Sequence, residues 1–266
     1  MNGAEQKFRD GDLAGCLAEL QGLVRHNPAD GKLRVFLSQV LMVLGQWDRV
    51  LNQLQVLGEM DPSALPMVRT YETAVHCELF RAEVFAGTRT PLVFGDPEPW
   101  VAHLLQSLDL IAKGHAEKAL AVREQAFEAA PATSGTIDDR PFEWIADADG
   151  RFGPVFEAVL NGKYYWIPAH RLTSVTLEAP SDIRDLIWLP AELTFANGGQ
   201  SMALLPTRYP GTENDADGAV RLSRKTAWRE LAPDLHVGVG QRVLATDAEE
   251  VGLLEVRKIT LQTVAD

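Results

Sequence analysis

The first half of the chain carries apolar residues at helical spacing, whereas the second half carries short apolar runs of β-strand length. One helical face is formed by Leu33, Phe36, Leu37, Val40, Leu41 and Leu44. From Pro131 onward, apolar runs alternate with Gly, Pro, Asn and Asp, which favour turns. The pattern therefore predicts a helical region followed by a β-rich region.

The helical half contains an internal repeat with a period of 34 residues between its first two copies. In three copies a glycine is followed 17 residues later by a proline: Gly11 and Pro28, Gly45 and Pro62, Gly114 and Pro131. The glycine can end a first helix in a left-handed cap, and the proline stops a second helix. This pattern resembles the tetratricopeptide repeat, a pair of antiparallel helices. Residues 64–97 predict a degenerate repeat with one strong helix over 67–87.

Repeats of this kind form a concave surface from the first helix of each pair. The residues predicted to line it, and to bind a partner there, are Phe8, Val35, Gln39, Met42, Val101, Leu104, Leu108 and Ile111. Because this lining is mostly apolar, it suits the nonpolar face of an amphipathic helix. The alternative is that the second half of the same chain covers the groove.

The second half predicts a compact mixed β domain with one or two short helices. Strands are expected around Trp166, Val175 and Val243, over 186–196 and 201–207, and at the end of the chain; NGG at 197–199 predicts a hairpin turn. Helices are expected over 152–160 and 227–231. We therefore expect an α+β multidomain protein, with tetratricopeptide-like repeats in residues 1–133 and a β-rich domain in 134–266.

A long acidic segment, residues 206–222, interrupts the strand pattern. Its many turn-forming residues favour a solvent-exposed excursion over a functional loop. This expectation depends on composition alone.

Charge and composition exclude several classes of function. The 266 residues include 25 Lys and Arg against 37 Asp and Glu, a net charge of −12. Nucleic acids and anionic membranes would repel such a surface. Cys16 and Cys77 lie in helical apolar segments and are expected to be core residues. The N-terminus lacks a secretory pattern, and the expected location is the cytoplasm.

Motifs for metal or cofactor chemistry are missing from the sequence. The six histidines occur singly, without metal-ligand spacing. DADG at 147–150 invites a calcium-loop interpretation, but Ile145 and Phe156 would then occupy ligand positions. No nucleophile elbow or phosphate loop occurs, so no cofactor and no metal are expected.

Arg, Asp and aromatic residues are concentrated in the second half. The candidates are Trp166, Asp182, Arg184, Asp185, Trp188, Arg208, Tyr209, Gln241 and Arg242. Such residues can form an internal ion-pair network that holds loops in place, or a recognition surface. A third interpretation is a hydrolase or transferase site among the Asp and Arg residues.

Several long motifs resemble the ImpE family, also called TagJ, of type VI secretion accessory proteins. They are FGDPEPW (94–100), FEWIADADGRFGPVFEA (142–158), NGKYYWIP (161–168), SDIRDLIW (181–188), LPTRYPG (205–211) and VGQRV (239–243). The resemblance implies a non-enzymatic, cytoplasmic accessory protein without catalytic residues. It also implies two partners: the N-terminal helix of the small sheath subunit TssB and the AAA+ ATPase ClpV.

Overall fold

A computed structural model describes residues 2–262 of the protein. Its helices are α1 (Asn2–Arg9), α2 (Leu13–His26), α3 (Gly31–Val43), α4 (Trp47–Met60), α5 (Leu65–Phe85), α6 (Pro99–Ala112), α7 (Ala116–Ala129) and α8 (Gly218–Arg221). Its strands are β1 (Leu92–Val93), β2 (Gly135–Ile137), β3 (Arg140–Phe142), β4 (Ile145–Asp147), β5 (Val155–Leu160), β6 (Lys163–Pro168), β7 (Leu172–Leu177), β8 (Trp188–Phe195), β9 (Gln200–Pro206), β10 (Thr226–Ala232), β11 (Leu235–Gly240), β12 (Val243–Thr246), β13 (Glu250–Gly252) and β14 (Lys258–Leu261). The predicted order of helices followed by strands is confirmed.

The three predicted helical hairpins are α1–α2, α3–α4 and α6–α7. Between the helices of each pair, Gly11, Gly45 and Gly114 adopt φ values of 80°, 64° and 76°, where a glycine has no Cβ penalty. The second helices end at His26, Met60 and Ala129, just before the prolines. The long helix α5 occupies the degenerate repeat.

The largest sheet in residues 2–262 has nine strands in the order β1-β6-β5-β9-β8-β7-β14-β2-β3. Its pairs are antiparallel, except that β1, from the helical half, lies parallel to β6. The strands β13, β12 and β4 form a second sheet, and β10 and β11 form a hairpin. The NGG turn joins β8 to β9, as predicted.

Two predicted helices are strands in the structure. Residues 152–160 contain β5, because the run VFEAVL is buried on both faces and so lacks the alternation that usually marks a strand. Residues 227–231 lie in β10, where they pair with β11.

The helices and the nine-stranded sheet share hydrophobic cores. Ile187, Trp188 and Leu222 pack into the core of α1–α5. Phe152 and Trp166 pack with side chains of α5 and α6. Both cysteines are buried and free. Among residues 2–262, every helix is too short or too polar to cross a bilayer.

Candidate functional site

The apolar repeat face that was predicted as a groove is covered by the second half of the chain. Met42 and Leu104 are fully buried, and Leu108 is 3% exposed. Met42 belongs to the core that includes Trp188 and Leu222. The expectation of an open groove at these positions is therefore wrong, and the stated alternative describes the structure.

The other predicted groove residues are also enclosed or only partly exposed. Val101 is buried, as is Gln39, whose amide donates a 3.0 Å hydrogen bond to Asp182. Val35 and Ile111 are half-buried. Phe8 is 8% exposed and packs edge to face on Phe36.

Part of this cover comes from the acidic segment 206–222, which was expected to project into solvent. Its beginning is buried, with Arg208 and Tyr209 at most 1% exposed. It then passes the two glycine turns of the first repeats: Glu213 packs against Gly45, and the backbone of Gly218 lies against Gly11. The expectation was wrong for the beginning of the segment, because Arg208 donates hydrogen bonds to carbonyl groups of α3.

Two arginines of the second half bind the ends of repeat helices. Arg208 donates hydrogen bonds to the carbonyl oxygens of Val43 (2.8 Å) and Met42 (3.1 Å) at the C-terminus of α3. Arg224 donates to the carbonyl of Arg9 (2.6 Å) at the end of α1. Helix C-termini leave carbonyls unsatisfied and carry partial negative charge. The two guanidinium groups therefore stabilise the same end of successive repeats.

A buried network of charges lies between α5 and the sheet. Arg81 forms a two-pronged ion pair with Glu157, at 2.7 and 2.8 Å, and a third contact with Glu78 at 2.8 Å. Arg242 pairs with Asp147 at 2.7 Å and with Glu157. Arg81, Glu157 and Arg242 are each at most 3% exposed. Such charges are tolerated only when they are paired and hydrogen-bonded.

Aromatic side chains complete this network. Tyr164 donates its hydroxyl hydrogen to Glu157, and Trp166 donates to the Tyr164 oxygen at 2.7 Å. Tyr209 donates to Asp147 at 2.9 Å. The predicted candidates Trp166 and Tyr209 thus serve an internal network.

Burial shifts the pKa values of two members of this network. It raises the pKa of Asp147 to about 6, against the opposing charge of Arg242. It also lowers the pKa of Arg242 to about 10, although Asp147 acts in the other direction. Both shifts arise because a low-dielectric environment disfavours the charged form.

The SDIRDLIW motif forms a capped turn against the repeats. Asp182 and Asp185 cap a short 3₁₀ helix over Ile183–Leu186 in a reciprocal capping box. Arg184 pairs with Asp182 at 2.6 Å and lies 4.6 Å from the ring centre of Tyr71.

Trp188, the last residue of this motif, packs against Trp47 with a ring-centroid distance of 5.8 Å and donates to Glu78 at 3.1 Å. Gln241 accepts a 3.1 Å hydrogen bond from the amide of Leu254. Both side chains therefore hold structural elements together.

The five residues proposed as an enzyme site do not share one set of partners. Asp182 contacts Arg184 and Gln39, and Asp185 caps a turn. Arg208 binds helix carbonyls, and Arg242 binds the carboxylates of the buried network. A cavity of about 320 Å³ beside Arg81 and Phe85 is not lined by any of the five. This arrangement does not favour the enzyme interpretation.

Sequence reasoning missed the centre of the network, namely Arg81, Glu157, Glu78 and Asp147. One signal was available: Glu157 interrupts an otherwise apolar run, and a buried Glu requires a partner. Within residues 2–262, no group of three or more His, Cys, Asp or Glu side chains could hold a metal ion.

Comparison with known proteins adds three findings. A model of the family described as ImpE protein matches residues 139–260. A protein of Pseudomonas aeruginosa named type VI secretion system accessory component TagJ is 54% identical over 259 residues, which cover 97% of this chain and 91% of that protein. The crystal structure of protein VPA1032 from Vibrio parahaemolyticus has a TM-score of 0.90 at 19% identity and covers 98% of both chains, which confirms the α+β fold.

Proposed function

The chain belongs to the ImpE family, and from this we propose that it acts as an accessory component of a bacterial type VI secretion system in the cytoplasm. The observation that carries the proposal is the 54% identity, over nearly its whole length, to a protein with that name. Likeness of this extent covers both the helical repeats and the β-rich region. We propose the division 1–133 and 134–266 as the limits of these two regions.

We propose that the protein is a non-enzymatic adaptor. The carboxylates of the buried network are engaged with arginines, so they support a fixed geometry better than proton transfer. A rigid connection between repeats and sheet suits a protein that presents a binding surface to large partners.

We propose the N-terminal amphipathic helix of the sheath subunit TssB as the first partner, and the ATPase ClpV as the second. The net charge of −12 favours segments that carry basic residues. Because the predicted groove is covered by the chain itself, the helix must use a different surface or displace that cover.

Fluorescence anisotropy with the full-length protein tests the first partner. The probe is a labelled synthetic peptide of the sheath subunit's N-terminal helix, and the control is a scrambled peptide without an apolar face. We expect that the helix peptide binds saturably, that added salt weakens this binding, and that the scrambled peptide does not bind. Equal behaviour of both peptides would contradict the proposed adaptor role. The same format with purified ClpV tests the second partner.

A further inference from the structure

An apolar cleft lies between the end of α7 and the strand β4, at the edge of the three-stranded sheet. Its volume is about 430 Å³. Phe127 of α7 and Trp144, which directly precedes β4, both line it, and each is 41% exposed. These two are among the few large aromatic side chains left so open in residues 2–262.

Contacts with neighbouring residues hold Phe127 and the backbone at Trp144 in place, and so fix the shape of the cleft. Arg123 lies 5.3 Å from the ring centre of Phe127 and donates to the carbonyl of Asp234. Gly153 lets the Phe127 ring approach, since a Cβ there would come within 2.8 Å of it. The carboxylate of Asp247 accepts hydrogen bonds from the backbone N–H groups of Glu143 and Trp144.

The lining of the cleft is mostly apolar, with charge of one sign only. Besides Phe127 and Trp144, its larger apolar members are Pro131, Ile145 and Pro154, and Thr133 is its one neutral polar member. Its charged members are Asp147 and Glu250. Asp147 is buried and paired with Arg242. Glu250 is exposed and has no ion-pair partner in the described part of the chain.

A second open surface, at the start of the repeats, offers less. It measures about 360 Å³ and is lined by Phe8, Phe36 and Ile183 with Glu5, Arg9 and Lys32. Its charged residues are of both signs. Phe8 is buried, with only 8% of its surface exposed, and offers little area to a partner. It therefore selects weakly among partners, and it supplies a matched control.

We propose that the cleft between α7 and β4 binds the apolar face of an amphipathic partner segment that carries a Lys or Arg beside its apolar side chains. Aromatic side chains in a preformed pocket supply the main contact energy at such sites. The unpaired carboxylate of Glu250 selects a cation next to them. The inference rests on the proposed function for the existence of such a partner, and adds the surface and the charge rule.

The test measures binding of the sheath-subunit helix peptide to full-length variants. Trp144→Ala and Phe127→Ala should each raise the Kd about tenfold or more. Glu250→Lys should raise it about two- to fivefold and reduce its dependence on salt. Controls are Met202→Ala, at a 64% exposed residue on β9, and Phe36→Ala in the second surface; both should bind like the wild type.

The outcomes distinguish a failure of the cleft assignment from a failure of the proposed function. If the wild type binds and both cleft variants bind equally well, the cleft assignment is overturned while the adaptor role stands. If the wild type does not bind, both are overturned. If the protein is a dimer that Trp144→Ala dissociates, the cleft belongs to a second copy and the inference is overturned. Unchanged thermal unfolding of the variants shows that a loss of binding is local.

Discussion

The interface between the helices and the sheet is charged and closed, whereas the cleft beside α7 is apolar and open. In the interface, Glu157 receives hydrogen bonds from two arginines and a tyrosine and is 2% exposed. In the cleft, Trp144 is 41% exposed. Charged residues are usually exposed and large apolar residues usually buried, and here both are reversed. The buried charges join the two halves of the chain, whereas the exposed aromatic residues are free to contact a partner.

Buried ion pairs are costly to desolvate, so the pairs alone do not account for the stability of the fold. Here they join residues that lie far apart in the sequence, such as Arg81 of α5 and Glu157 of β5. A small sideways shift of the helices would leave these charges unpaired. We infer that the network fixes how the repeats sit on the sheet.

The largest expected effect follows from removing the centre of the network. Glu157→Gln removes the carboxylate that Arg81 and Arg242 share, which leaves two buried guanidinium groups with only Glu78 and Asp147 as carboxylate partners. It should lower the free energy of unfolding by about 3–5 kcal/mol. Glu249→Gln, which breaks an exposed pair with Arg140, is the matched control and should change it by less than about 1 kcal/mol. Chemical denaturation measures both. Similar values for the two variants would remove the contrast between interface and surface.

The covered repeat face gives the next effect. Met42→Ala should cost about 2–5 kcal/mol, because Met42 is 0% exposed and its truncation leaves a cavity in the core. Met202→Ala, on the exposed side of β9, should cost about 0.5 kcal/mol or less. Differential scanning calorimetry compares them. A harmless Met42→Ala would mean that this face is open in solution.

Removing one helix cap should have an intermediate effect. Arg208→Ala removes the side-chain donor to the Val43 carbonyl and one of the donors to the Met42 carbonyl, and should cost about 2 kcal/mol. In hydrogen exchange, Arg208→Ala should reduce the protection of the amides of 206–216 more than that of the amides of α2. Equal protection of the amides of 206–216 in the wild type and in Arg208→Ala would show that Arg208 does not hold this segment on the repeats.

The smallest effect concerns pH at the edge of the interface. Burial of Glu98 opposes its ionisation, but hydrogen bonds from Trp100, Arg171 and His170 lower its pKa below the usual value. Because the pKa of Glu98 is lower in the folded than in the unfolded protein, its ionised form stabilises the fold at pH values above the pKa of the unfolded state. This stabilisation is lost as the pH falls through the pKa of the folded state.

Between pH 7 and pH 3 the wild type should therefore lose up to about 1 kcal/mol more stability than Glu98→Gln. Urea unfolding at several pH values measures the difference. Parallel pH profiles for the two proteins would refute the contribution of Glu98.

The sequence predicts the repeats because their signals are local. Gly45 and Pro62 mark the ends of helices whatever surrounds them. The strand β5 was predicted as helix, since burial on both faces removes the period that separates the two.

The candidate sites could not be predicted as well, because they combine distant residues. Arg81 and Glu157 are separated by 76 positions, and Phe127 and Trp144 line the same cleft although they belong to the two halves of the chain. The occupant of the repeat face was within the same chain, and the polar composition of 206–222 gave no sign of it. Repeat patterns indicate where a concave face lies; they do not indicate what covers it.

Hydrogen–deuterium exchange of the full-length protein, with and without the sheath-subunit helix peptide, tests the central claim most directly. If the chain's own segment covers the repeat face permanently and the partner uses the cleft, the peptide should slow exchange in 127–133 and 144–148 and leave 206–224 unchanged. Faster exchange in 206–224 on peptide binding would show that the partner displaces this segment from the repeats, and would contradict the account.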